Sequence, residues 1–202
     1  MSDKNIEIKR YDTRAVDVFN DDNHVFSNSS PLYSRVGEKD YRKMLSDVPP
    51  GSKVLEIGAG MGENTECLLD GGFTVCATDI SSNSVRLLEK RFGTLEEFSA
   101  RIADMEALPF PDGSFDVICS AGALSYGDNC IVRNEIYRVL KLGGSFIAFD
   151  SLNHNPIYKL NRYIHFLRGH RSKSTLQRMP TQHLIDSYTS QFGSSEVKYF
   201  GS

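Results

Sequence analysis

Val54-Leu55-Glu56-Ile57-Gly58-Ala59-Gly60-Met61-Gly62-Glu63-Asn64-Thr65 is the stretch from which the rest of the chain can be read. Val54, Leu55 and Ile57 form a short apolar run behind the turn signal Pro49-Pro50-Gly51-Ser52. Such a run suits a central parallel strand covered on both faces. Three glycines follow, each separated from the next by one residue. Glycine reaches backbone angles closed to other residues and lets a ligand lie against the main chain. After Gly62 the pattern turns helical through Glu66, Leu68 and Leu69, and Gly71-Gly72 stops it. Strand, glycine turn and helix open a nucleotide-binding βαβ unit.

A dinucleotide fingerprint reads G-x-G-x-x-G, so that a pyrophosphate reaches the helix N-terminus. Gly58 and Gly60 fit it, but the third position is Glu63, whose carboxylate repels a pyrophosphate. The spacing is instead E-x-G-x-G-x-G, with Glu56 inside the strand. It resembles motif I of the class I S-adenosylmethionine-dependent methyltransferases. Their cofactor carries a cationic sulfonium and amino group and no phosphate, which suits an acidic, glycine-lined turn. A tight strand-to-helix turn without a ligand is the plainer alternative.

Phe73 to Asp79 reads as a second strand ending in an acid. Asp79 lies 21 positions after Gly58, near the roughly 20 expected of a carboxylate that accepts hydrogen bonds from ribose hydroxyls. An acid opening the helix from Ser81 is the alternative. Phe98 to Ala103 reads as a third strand, followed by Asp104-Met105. Leu108-Pro109-Phe110-Pro111-Asp112-Gly113-Ser114-Phe115-Asp116 is a turn feeding a fourth strand, Phe115 to Ser120. This L-P-F-x-D-x-S-F-D pattern resembles the ubiquinone-biosynthesis-like group of the same methyltransferases. A helix from Asn129 to Lys141, with Ile131, Ile136, Val139 and Leu140 inward and Leu142-Gly143-Gly144 ending it, and a fifth strand, Ser145 to Asp150, complete the alternation. Thr181 to Phe192 reads as a further helix and Val197 to Phe200 as a sixth strand. The predicted fold is α/β, a doubly wound Rossmann-like sheet lacking the seventh strand of the resembled fold.

The resemblance spans Lys53 to Asp150 and implies a role for each matching residue. Glu56, Gly58, Ala59, Gly60, Gly62, Asp79, Ile80, Asp104, Met105 and Ser120 would hold S-adenosylmethionine. Ile80 and Met105 would cover the adenine, and Asp104 would accept from its amino group. Residues 1–50 read as a helical cap, with a helix near Tyr11–Phe19 and another over Glu38–Val48. The segment Tyr11-Asp12-Thr13-Arg14-Ala15 is similar to the Y-D-x-x-A lid of that group, so Tyr11 and Tyr33 are candidate lid and substrate residues. Residues 51–202 form the cofactor domain.

The chain has 202 residues, 40% hydrophobic and 24% charged, enough for one domain with a real core. No apolar run approaches ~20 residues, and Met1-Ser2-Asp3-Lys4-Asn5 lacks the apolar core of a signal peptide. Cys67, Cys76, Cys119 and Cys130 form no C-x-x-C pair, so thiols in a reducing cytoplasm are expected and no metal site. The net charge of −3 is unevenly spread. Between Asp150 and Asp186 there is no acid, while Lys159, Arg162, Arg168, Arg171, Lys173 and Arg178 supply six of the 23 basic residues. Such a segment points to an anionic partner, with a solvated basic face balanced by the acidic body of the fold as the alternative. Within it, Leu160, Tyr163, Ile164 and Leu167 form an apolar stripe on a helix from Ile157 to Arg168, with Arg162 and His165 on its surface. Residues 151–169 also resemble methyltransferases of surface-polysaccharide biosynthesis.

These observations predict methyl transfer to a small-molecule or saccharide acceptor, most specifically O-methylation of an anionic sugar. His154 and Asp128, on loops after the fifth and fourth strands, are the candidate bases, since a hydroxyl acceptor must lose a proton. A structural role for His154 in the Asn-His-Asn-Pro turn is the alternative. Tyr126, Arg162 and Arg168 are candidate acceptor contacts. A non-catalytic cofactor-binding module is the rival reading. An oxidoreductase is disfavoured by Glu63. A nucleic-acid methyltransferase is disfavoured by the net charge and by the lack of an N-P-P-aromatic tetrad. A membrane-surface role for the basic segment stays open, as does the oligomeric state.

Overall fold

A computed structural model describes residues 3–20, 39, 41–152, 156–168 and 172–199. Tyr33 and His154 lie outside the described residues. The glycine stretch begins as β1 (Lys53–Ile57), buried after its first residue, and continues through the turn into α2 (Glu63–Asp70). β2 (Thr74–Asp79), α3 (Ser82–Phe92), β3 (Phe98–Ile102), β4 (Phe115–Ala121), α4 (Asn129–Val139) and β5 (Leu140–Phe149) follow. The strand order is β3-β2-β1-β4-β5, and every pairing is parallel. The chain therefore winds outward from β1 to β3, then returns to the other side of β1. The reversal between β1 and β4 opens a crevice at their carboxyl ends, where open α/β sheets bind ligands.

Alternate residues of β1 feed two cores, as the pleat requires. Val54 joins Leu68, Val75, Leu88 and Phe92 under α2 and α3. Leu55 and Ile57 join Ile118, Val132, Ile136 and Val139 under α4. A strand buried on both faces explains the continuous apolar run. Before the sheet, α1 (Asp3–Asn20) is longer than the expected Tyr11–Phe19 helix. Residues 41–46 are helical, with Tyr41 and Leu45 buried in the first core. After the sheet come α5 (Pro156–Leu167), α6 (Lys173–Gln177) and α7 (Gln182–Thr189).

Four expectations change. α4 ends at Val139, and Leu140 already pairs with Phe115. The pairing then jumps to Val117↔Ser145, with Gly143 at φ 80° inside the irregularity. The Gly143-Gly144 signal thus marks a bulge and not a helix stop. Ile131 points outward at 46% exposure while Val132 is buried. Residues 197–199 are not a strand, so the described sheet has five. Finally, α5 is turned over. Arg162 is 6% exposed, whereas Leu160 and Leu167 are 59% and 66% exposed. The periodicity gave a stripe but not the side it faces, because a tertiary partner decides that. The cysteines also divide: Cys67 and Cys119 are buried, and Cys130 is exposed.

Candidate cofactor site

At the switch point a cavity of about 150 Å³ is lined from below by the strand ends. Gly58, Ala59 and Gly60 come from the glycine turn, Asp79 and Ile80 from the end of β2, and Asp104 and Met105 from beyond β3. Ala121 at the end of β4 and Gly122, Ala123 and Tyr126 after it form a second wall, and Lys4, Glu7, Tyr11 and Arg14 of α1 cover the top. The predicted residues Gly58, Ala59, Gly60, Asp79, Ile80, Asp104, Met105, Tyr11 and Tyr126 are thus brought together. Glu56, Gly62, Ser120, Asp128, Arg162 and Arg168 are not among the lining residues.

Gly58 has φ 67°, and a Cβ added there would stand 2.5 Å from the Ala123 Cβ. The turn therefore needs glycine both for its backbone angle and for the approach of the β4 loop. Gly62 has φ 87°, and its missing Cβ leaves room for Leu88 and Phe92 of α3. Its part is packing beneath the turn, which explains its absence from the cavity wall.

Asp79 is held firmly. Its Oδ2 accepts from the Gly60 N–H at 2.9 Å and its Oδ1 from the Ser81 N–H at 2.8 Å. Burial raises its pKa, against the lowering effect of these amide bonds. A carboxylate has about four acceptor positions, so two remain for hydroxyls of a ligand. Glu56 sits behind the turn, 2% exposed, and accepts from the Thr65 hydroxyl at 2.5 Å. Burial pushes its pKa up to about 8. Its role in this structure is to tie β1 to α2 beneath the site. Ser120 is likewise buried, one residue below the lining.

The roof closes through charged and aromatic contacts. Lys4 Nζ lies 2.5 Å from Asp104 and 2.6 Å from Glu106. Burial alone would lower the Lys4 pKa, but hydrogen bonds to both acids more than offset it and raise it. The Tyr11 hydroxyl donates to the Tyr126 hydroxyl at 3.0 Å, with the rings edge to face at 5.6 Å. Asp12 accepts from the Ser81 hydroxyl at 2.5 Å, beside the site of Asp79. Glu7 accepts from the Ser172 N–H at 3.0 Å and the Thr175 hydroxyl at 2.8 Å, anchoring α1 to α6. Lys4, Glu7 and Arg14 carried no motif. Their spacing with Tyr11 on one face of α1 was the available signal.

Asp128 caps α4 by accepting from the Cys130 N–H at 3.0 Å, and Arg178 stands 3.9 Å from its carboxylate. Arg168 is exposed on the outside of the fold. The cavity residues fit S-adenosylmethionine in chemistry. Glu63, Asp79 and Asp104 supply anions for cationic and hydroxyl groups, and Ile80 and Met105 supply apolar cover for a ring. Glu63 on the wall makes the turn unsuited to a pyrophosphate.

The comparisons agree with this chemistry. Residues 55–148 match a family model described as a methyltransferase domain. The 2-methyl-6-phytyl-1,4-hydroquinone methyltransferase of Synechocystis is 37% identical over 110 residues, covering 52% of this chain and 34% of that protein. The demethylmenaquinone methyltransferase of Paenarthrobacter aurescens is 33% identical over 141 residues, covering 62% and 53%. The chain thus spans only about a third to a half of these relatives. Among solved structures, the YcgJ protein of Bacillus subtilis superposes with a TM-score of 0.60 at 23% identity, over 76% of this chain and 67% of that one. The [4+2]-cyclase SpnF superposes with a TM-score of 0.65 at 17% identity, over 94% and 71%. At such identities the structural likeness speaks for the fold alone. Fold, acidic glycine turn and domain match agree, and residues 55–148 are in all three respects similar to class I S-adenosylmethionine-dependent methyltransferase domains.

Proposed function

We propose that this protein transfers a methyl group from S-adenosylmethionine to a small-molecule acceptor. One observation carries the reading: Asp79 and Asp104, from the ends of successive strands, meet the glycine turn on a single cavity. Relatives named for hydroquinone, sterol and sarcosine/dimethylglycine methylation support a small-molecule acceptor without naming one. When bound, the cofactor supplies an electrophilic methyl on sulfur. The acceptor nucleophile would take that methyl group, and a base of the chain would have to take the acceptor's proton. The chain's own part is alignment, which accounts for ~7–11 kcal/mol of barrier in well-oriented reactions. Asp79 fixes the ribose side, Met105 and Ile80 cover the ring, and the Tyr11–Tyr126 pair closes the end toward β4. His154 and Asp128 are our proposed bases. Calorimetry with S-adenosylmethionine, S-adenosylhomocysteine and NAD tests the binding, and transfer of a labelled methyl to small-molecule fractions tests the reaction. Preference for NAD would overturn the reading. Binding without transfer would leave the non-catalytic module.

A finer reading is supported by the acid-free run from Ser151 to Ile185: an anionic, sugar-type acceptor docking against Arg168. The structure does not bring Arg168 or the buried Arg162 to the cavity, so such an acceptor would reach in across the outer rim. Apparent acceptor affinity of Arg168→Ala at low and high salt tests it; an affinity unchanged at both removes it. No described helix is long and apolar enough to cross a membrane.

A further inference from the structure

The cofactor's amino-acid tail is a zwitterion, and the cavity's acids account for only its ammonium. In a cavity bordered by Glu7, Glu63, Asp79 and Asp104, an anion is repelled almost everywhere. Among the described residues the lining holds two cations, Lys4 and Arg14. Lys4 is committed to Asp104 and Glu106 at the β3 end. Arg14 makes no ion pair or hydrogen bond with any described residue.

Its position is fixed by its neighbours on α1. One turn before it, Tyr11 touches Tyr126 beyond β4. One turn after it, Val18 packs with Met61 and Leu87. Arg14 therefore lies on the α1 roof between these two contacts, over a cavity that Glu63 and Asn64 also border. The strand order β3-β2-β1 sets the course of the ligand. With the ring toward Asp104 and the ribose at Asp79, the tail runs on over β1, toward Arg14. We infer that Arg14 is the carboxylate clamp of this cavity, holding the amino-acid tail of the cofactor with its guanidinium. The planar fork of arginine suits a carboxylate bidentately. Glu63, which borders the same cavity, provides the matching anion for the tail's ammonium.

This inference rests on the cofactor reading, and the test separates the two. The probes are S-adenosylhomocysteine and its analogue lacking only the carboxylate, each titrated calorimetrically into the native protein, Arg14→Gln and Arg14→Lys. Arg14 is exposed, so its replacement leaves the packing intact. The native protein is expected to favour S-adenosylhomocysteine over the analogue by roughly 10- to 100-fold. Arg14→Gln should lose that preference while its affinity for the analogue stays native. Arg14→Lys should keep part of it, as a point charge in place of a fork. A native protein that binds neither probe overturns the cofactor reading and the clamp together. Native preference retained in Arg14→Gln overturns the clamp alone. Equal loss toward both probes also overturns it, because that is a packing effect. A raised acceptor KM with unchanged S-adenosylhomocysteine affinity overturns it in favour of an anion on the acceptor.

Discussion

The floor and the roof of the cavity are built by different means. The floor is local. Glu56, Gly58, Gly60 and Gly62 alternate within seven residues, and Asp79 closes the next strand. The roof is assembled from afar: Lys4 meets Asp104 across 100 positions, and Tyr11 meets Tyr126 across 115. Local geometry leaves a spacing in the sequence; long-range pairing leaves only a charge here and an aromatic there. Of the two, the roof can open without breaking the sheet, so the floor is expected to govern stability and the roof access.

The largest effect should come from the floor, at Glu56. Burial raises its pKa to about 8, whereas in the unfolded chain it is about 4.3. The folded state therefore holds a proton that the unfolded state gives up. The associated stability is fully present below about pH 4.3 and is lost as pH rises through about 8. Thermal melts between pH 5 and 9 should fall for the native protein by on the order of 3–5 kcal/mol from this group. Glu56→Gln, which still accepts from Thr65, should flatten that slope. An unchanged slope would mean that Glu56 is ionised in the fold.

Next comes Gly58→Ala. The substitution places a Cβ 2.5 Å from the Ala123 side chain at φ 67°. Strain and overpacking together should cost roughly 2–5 kcal/mol, read by urea denaturation, and cofactor affinity should fall with it. Gly60→Ala has the same kind of positive φ, at 58°, but its Cβ meets nothing within 4 Å. It should cost less stability, so the difference between the two isolates the contact from the backbone angle.

These two residues also mark what the sequence made legible. The strand run, the glycine spacing and the acid at the end of β2 all follow from rules that act over a few residues, and the structure places them as those rules require. The β-α alternation implied a doubly wound sheet, but the strand order that locates the switch point is a matter of which strands pair, and that is seen in the structure. Helix facing was less legible. α5 has a clear apolar stripe, yet Leu160, Tyr163, Ile164 and Leu167 face outward and Arg162 faces in. A periodicity defines two faces, and the sequence of one helix does not say which has a partner. The α4–β5 junction misled for another reason: Gly143-Gly144 punctuates chain direction equally at a helix stop and at a bulge.

The inversion of α5 gives a third test. Arg162→Met exchanges a buried guanidinium for a shorter apolar chain and removes whatever hydrogen bonding it has. A loss of roughly 1–3 kcal/mol is expected. Leu167→Ser, on the exposed stripe, should stay within about 0.5 kcal/mol. The reverse ranking by denaturant midpoint would mean that the stripe, and not Arg162, faces the core.

The smallest effect separates the roof from the floor most cleanly. Tyr11→Phe deletes one hydroxyl, so the hydrogen bond to Tyr126 goes and the edge-to-face ring contact stays. Burial raises the Tyr11 pKa well above its ordinary value, so the hydroxyl is a neutral donor throughout the working range. A neutral hydrogen bond contributes about 0.5–1.5 kcal/mol. If α1 is a roof that opens as a unit, this energy belongs to closure and not to folding of the sheet. Stopped-flow binding of S-adenosylhomocysteine should then show a dissociation rate raised by up to roughly tenfold, with the global unfolding midpoint nearly native. Lys4→Met, at the other end of the same helix, should act in the same direction, because Lys4 holds Asp104 and Glu106 there. The two changes should combine to give more than either alone, since both ends must release for α1 to lift. A Tyr11→Phe protein that loses midpoint stability without a faster dissociation rate would place α1 in the folding core and remove the distinction between roof and floor.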